Sequence, residues 1–214
     1  GPAMNLLSYF LGHPREVWTL TLEHLWLTGI SVVLAVLVGL PLGVGIARRP
    51  ALARVVLGAV NSVHVIPSLA LFGFLFAVPW IGDRAPRMAI LALSLYALLP
   101  ILRNVCAGIL GVDPAVVEAG RGLGLTPAQL LMRVELPLAL GVIVAGIRVA
   151  VVLAVGIATI AAAIGAGGLG ELIFRGLAMV NQSLIFAGAL PAALLALLAD
   201  LALGGLEAML RRRV

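Results

Sequence analysis

Apolar residues fall in long uninterrupted runs rather than alternating with polar ones, and five runs are free or nearly free of charge. They cover residues 25–47, 55–82, 88–111, 136–170 and roughly 184–206. A helix needs about 20 apolar residues to cross the hydrocarbon of a bilayer. The pattern therefore predicts an all-α, polytopic membrane protein with about five transmembrane helices. Arg103 interrupts the third run near its end, and Arg148 is the one charge in the fourth. The fourth run is too long for a single untilted helix but holds no polar turn that would divide it. Its glycine-rich tail is expected to leave the membrane near Gly165 and lead to a short helix around residues 171–177.

Between the third and fourth runs lies a polar segment, residues 113–137, with folding signals of its own. Asp113 before Pro114 reads as an N-cap with proline at the first helical position. That helix is expected to fail at Gly122 and Gly124. Thr126-Pro127-Ala128-Gln129 then reads as a second start with a capping box. Two short helices joined at a glycine corner make a rigid knob. Val116, Val117, Leu123 and Leu125 offer it apolar contacts, Ala119 and Gly120 permit close seating, and Glu118 and Arg121 stand three apart, within pairing reach.

Charge sets the orientation. All 14 basic residues are arginine, and they cluster at the ends of the apolar runs. With the N-terminus outside, inner segments hold nine (Arg48, Arg49, Arg54, Arg103, Arg121, Arg133, Arg211, Arg212, Arg213) and outer ones four (Arg15, Arg84, Arg87, Arg175). That asymmetry favours a C-terminus inside. Trp18, Trp26 and Trp80 then fall near the outer interface, and residues 113–137 lie in the cytoplasm. The stretch before Leu25 carries acids and has no short apolar core with a cleavage site, so it does not read as a secretory signal. Gly1-Pro2-Ala3 reads as a tag scar ahead of Met4, leaving residues 4–214 as one transmembrane domain.

Composition narrows the chemistry. The chain is 63% hydrophobic and 11% charged, with a mean hydropathy of +1.20. Without lysine there can be no Walker A loop, so any ATP and Mg²⁺ are used by another subunit and no cofactor is expected on this chain. The basic pI comes from arginines at span ends, with no basic face interleaved with aromatics, which argues against nucleic acid. Cys106 is the single cysteine, and no His/Asp/Glu cluster has metal-ligand spacing or forms a nucleophile–base pair. Gly165-x-Gly167-x-x-Gly170 matches a dinucleotide fingerprint only formally, because an apolar helix rather than a strand precedes it.

The segment Glu118-Ala119-Gly120, three residues, Gly124, nine residues, Val134-Glu135-Leu136-Pro137 resembles the EAA loop of ABC-importer permeases. Val134 and Gly120 are mild departures from that pattern. Ile66-Pro67-Ser68-Leu69-Ala70, Leu99-Pro100-Ile101-Leu102-Arg103-Asn104 and the turn from Gly165 to Gly170 are similar to the osmoprotectant branch, which handles glycine betaine, choline, carnitine and related solutes. The resemblance covers most of residues 20–205. It implies a type I ABC-importer transmembrane domain in the bacterial cytoplasmic (inner) membrane. It implies an ATPase-coupling surface at Glu118, Ala119, Gly120, Arg121, Gly124, Leu125, Leu136 and Pro137. The partners it implies are two ATPase subunits, a second permease copy or paralogue, and an extracytoplasmic substrate-binding protein.

Candidate pathway or gate residues are Asn61, His64, Pro67, Pro100, Asn104, Arg148, Gly167 and Gly168. For Asn61 and His64 the competing reading is interhelical hydrogen bonding. For Arg148, about 16 Å beyond Pro137 along a helix, it is a structural pair with Asp200. Pro67 and Pro100 are expected to kink their helices, and Gly39-x-x-x-Gly43 offers a close helix contact. An amino-acid permease, or an ATP-independent channel or scaffold, are the alternative functions.

Overall fold

A computed structural model describes residues 6–212; Gly1-Pro2-Ala3, read above as a tag scar, and Arg213 lie outside them. Short α1 (Leu6–Gly12) precedes α2 (Pro14–Ala47), a 34-residue helix. At 1.5 Å per residue α2 is about 51 Å long, well beyond the hydrocarbon thickness. The apolar run therefore located the membrane part of α2 but missed the two turns or more that project from it. Pro50 starts α3 (Pro50–Val65) at its first helical position.

The second apolar run is not one helix: the kink expected at Pro67 within 55–82 is a full break. α3 and α4 (Ser68–Phe76) meet at 96°. Pro67 is the cause. It disfavours helical backbone in the residue before it, and Ile66 is extended, with φ −64° and ψ 128°. The freed Ile66 carbonyl accepts a hydrogen bond from the Tyr96 hydroxyl. Pro100 behaves differently: α5 (Ala85–Leu110) runs through it without a break.

Beyond α5 come α6 (Pro114–Gly122), α7 (Pro127–Leu130), a π turn at Leu131–Glu135 and α8 (Leu136–Ala161), which ends in a 3₁₀ turn at Ala162–Ile164. Then follow α9 (Gly170–Ala178) and α10 (Gln182–Arg212). Four helices among the described residues are long and apolar enough to span a membrane, and the bent α3–α4 pair brings the number to five if it is counted as one broken span.

Central α5 packs against α2 and α8, with α3 and α4 alongside, while α10 covers α8 and α9. Lipid tails are as apolar as leucine, so close packing rather than water exclusion holds such helices together. Small residues set that packing: a Cβ on Gly39 would lie 2.9 Å from Ile101, and one on Gly43 2.7 Å from Val105. Large apolar side chains such as Leu37, Leu194, Leu198 and Leu201 point outward, as lipid or a partner helix requires.

Candidate functional site

The segment 113–137 folds as its local signals predict. Asp113 Oδ1 accepts from the Ala115 N–H at 2.8 Å and α6 begins at Pro114. α6 ends at Gly122, and the chain turns through Gly124, whose φ of +78° lies in the left-handed region that glycine alone visits without cost. Thr126 and Gln129 then form a reciprocal capping box, with N–H to side-chain oxygen distances of 3.3 and 2.9 Å. Gly120 is buried, and a Cβ there would come within 2.7 Å of Leu130, so α6 closes tightly on α7.

What this knob presents outward is mixed. Glu118, Ala119, Arg121 and Gly124 are exposed, Leu125 and Leu136 half-buried, and Pro137 exposed. Val116 and Leu123 stand out from the same surface. The Glu118–Arg121 pair allowed by their spacing is not made: neither side chain has an ion-pair partner among the described residues. Two exposed charges gain little from pairing in water.

One contact here was not read from the sequence. Glu135, in the π turn, is 2% exposed and forms an ion pair with Arg48, just past the end of α2. Its second carboxylate oxygen has no partner among the described residues. The pair ties the knob to a helix 87 residues away. It also places the end of α2 and the loop after α5 on the same side of the membrane. The available signal was a carboxylate flanked by apolar Val134 and Leu136, where a solvated loop residue has no reason to sit.

At the opposite end, Gly167 and Gly168 take φ of +89° and +85°, and the Gly168 N–H donates to Glu23 at 3.0 Å. This turn follows a helix and a 3₁₀ turn, so it is no dinucleotide fingerprint. Arg175 on α9 pairs with Glu16, which also accepts from the Tyr9 hydroxyl at 2.8 Å. Burial, with the hydrogen bond and charge of Glu16, pushes the Tyr9 phenol up to about 12.

Within the spans the predicted pathway residues separate into two groups. Arg148 turns to α10, where Asp200 binds it through two hydrogen bonds of 2.6 and 2.7 Å and Glu207 lies at 3.4 Å. On the other side, His64, Pro100 and Asn104 line one cavity of about 270 Å³ together with Arg103, Val149 and Leu153. Asn61 accepts from the Arg103 guanidinium at 2.9 Å. Arg103, counted above among inner-segment charges, sits inside α5 rather than in a loop. Pro67 marks the α3–α4 elbow.

A family model described as the binding-protein-dependent transport system inner membrane component matches residues 35–214. The chain belongs to that family. This inner-membrane component is similar to an osmoprotectant import permease protein (OsmW) of Salmonella typhimurium, at 44% identity over 97% of each chain. It is also similar to a carnitine transport permease protein (OpuCB) of Listeria monocytogenes, at 42% identity over 94% of this chain and 91% of the relative. A choline transport system permease protein (OpuBB) of Bacillus subtilis is 44% identical over 95% and 92%. Among solved structures, a chain of the MetNI methionine ABC transporter in an inward-facing crystal form superposes with a TM-score of 0.78. The two are 26% identical, with 92% of this chain and 94% of that one covered. An amino acid ABC transporter solved with histidines gives 0.70 at 20% identity, covering 96% and 97%, a likeness of fold alone. The inner-membrane component is thus a multi-pass membrane protein with the type I ABC-importer transmembrane fold.

Proposed function

We propose that this chain is the permease subunit of an ATP-driven importer for a small osmoprotectant of the quaternary ammonium class. The observation that carries the coupling half of this reading is the capped, exposed knob at 113–137, whose last turn is pinned to α2 by Arg48 and Glu135. A stiff knob tied to two spans transmits displacement, whereas a floppy loop absorbs it. The osmoprotectant, carnitine and choline permeases to which the chain is similar support the substrate class.

In this mechanism the N-terminus lies outside and the C-terminus inside. Two cytoplasmic ATPase subunits, which bind the ATP and Mg²⁺, grip the knobs of two permease copies or paralogues. Their closure moves the knobs and rocks the spans, alternating access to a pathway between the permeases. An extracytoplasmic binding protein delivers solute to the turn at Gly167 and Gly168. This chain itself catalyses no reaction.

The test is ATP hydrolysis by the reconstituted complex, stimulated in turn by solute-loaded binding protein with glycine betaine, carnitine, choline and amino acids. Stimulation by the first three supports the reading. Stimulation by amino acids alone replaces the substrate class, and solute flux without any ATPase replaces the reading with a channel.

A further inference from the structure

Two arginines lie inside the spans, and their surroundings are opposite. Arg148 is saturated by acids, with Asp200 on two of its nitrogens and Glu207 on a third. Arg103 has no acidic partner among the described residues; its one hydrogen bond goes to the neutral Asn61 side chain. Seven residues separate Arg103 from the end of α5 at Leu110, about 10 Å along the helix. A guanidinium carries five N–H donors in a planar fork suited to a carboxylate. An intramembrane cation lacking a counter-charge in its own chain faces a water-filled space or awaits an anion.

The wall beside Arg103 supplies a further donor. Asn104 gives one amide N–H to the Pro100 carbonyl at 2.9 Å, which leaves its second free. His64 also lines the wall, but its Nδ1 is shielded from solvent and without a partner among the described residues, so Asn104 is the donor beside Arg103. Both line the same cavity of about 270 Å³ as Arg103, with apolar Val149 and Leu153 opposite. Its size suits a small solute rather than a drug-sized one. No carboxylate lines it, so a bare cation finds Arg103 there and nothing to offset it.

We infer that Arg103, with Asn104, forms a binding subsite for the carboxylate of a zwitterionic solute in the pathway. This rests on the permease reading above and adds a selectivity to it. Solutes carrying a carboxylate, such as glycine betaine and carnitine, gain a charge-assisted bond at Arg103. Choline, a cation without a carboxylate, gains none and is repelled. The chain thereby sorts solutes after the binding protein has released them.

The test uses the complete reconstituted transporter and a dicarbonyl reagent that modifies arginine, with Arg103 followed by mass spectrometry. Glycine betaine well above its transport KM is expected to slow modification of Arg103, while choline at equal concentration leaves it unchanged. No protection by betaine, equal protection by choline, or no access of the reagent to Arg103 each overturns the inference. A second arm measures uptake by Arg103→Gln and Arg103→Lys. Arg103→Gln is expected to lower betaine and carnitine uptake by at least about tenfold relative to choline, with the lysine variant between. Parallel loss of all three solutes, or no change in their ratio, contradicts it. If the unaltered complex moves none of them, the permease assignment fails, while protection of Arg103 by a carboxylate is still read independently.

Discussion

The Arg48–Glu135 pair makes an asymmetric prediction. Glu135 is 2% exposed and Arg48 41% exposed. Replacing Arg48 by Met strands a buried carboxylate, one of whose oxygens already lacks a partner among the described residues. Breaking a fully buried pair costs about 3–5 kcal/mol; because water reaches Arg48, about 1–3 kcal/mol is the figure to expect here. Glu135→Gln leaves the opposite remainder, a cation that can swing into water, and costs about 1 kcal/mol or less. The double variant Arg48→Met with Glu135→Gln no longer buries an unpaired charge. It should be no worse than Glu135→Gln alone by more than the usual additivity error of about 0.5 kcal/mol.

For a chain of this size each kcal/mol shifts Tm by about 2–4 °C. Thermal unfolding of the assembled complex in lipid nanodiscs should therefore rank Arg48→Met lowest, with the other two close together. Solute-stimulated ATPase should follow the same order, because the loosened α2 contact decouples the knob. Equal Tm losses for the two single variants, or a larger loss for Glu135→Gln, would refute the argument.

Other substitutions probe packing, backbone and intramembrane charge. Gly43→Leu places a side chain where even a Cβ lies 2.7 Å from Val105, whereas a Cβ at Gly45 meets nothing within 4 Å. Membrane-inserted yield should collapse for the first and hold for Gly45→Leu. Gly124→Val forces a β-branched residue to φ +78°, costing about 1–2 kcal/mol or more. Coupled ATP hydrolysis should fall with it, while Gly124→Asn, which tolerates that backbone, retains most of it. Arg148→Leu leaves Asp200 without its cation, while Glu207 keeps Arg211 at 2.8 Å, and should lower the yield of folded complex. Adding Asp200→Leu should recover part of that yield, which a recount of detergent-stable complex by gel filtration would reveal.

Much of this molecule is legible in the sequence, and the limits have physical reasons. The caps at Asp113 and Thr126 are local, involving residues two or three apart, and both form as their side chains dictate. Four spans follow from run length. The 96° elbow at Pro67 was harder to read, because proline permits both a mild kink and a full break; an extended Ile66 and the Tyr96 hydroxyl select the break. The same residue type at Pro100 leaves α5 whole. Pairings across long sequence separation were the least legible. Asp200 was nameable as a partner for Arg148 because acids are scarce in the spans, but Arg48 had a sufficient local explanation as a topology charge, and nothing near Glu135 in sequence pointed to Arg48 as its partner. The cavity at Arg103 needed α3, α5 and α8 brought together before it existed at all.

The central claim is that the stiff segment at 113–137 is held from the cytoplasm by a separate ATPase. Ala119 is exposed on α6, and the single thiol, Cys106, is buried. In a Cys106→Ala background, Ala119→Cys should react with a membrane-impermeant maleimide only when the cytoplasmic face is opened. It should also cross-link to the ATPase subunit of the intact complex. Labelling from the outer face, or efficient solute transport with no ATPase attached, would contradict the account.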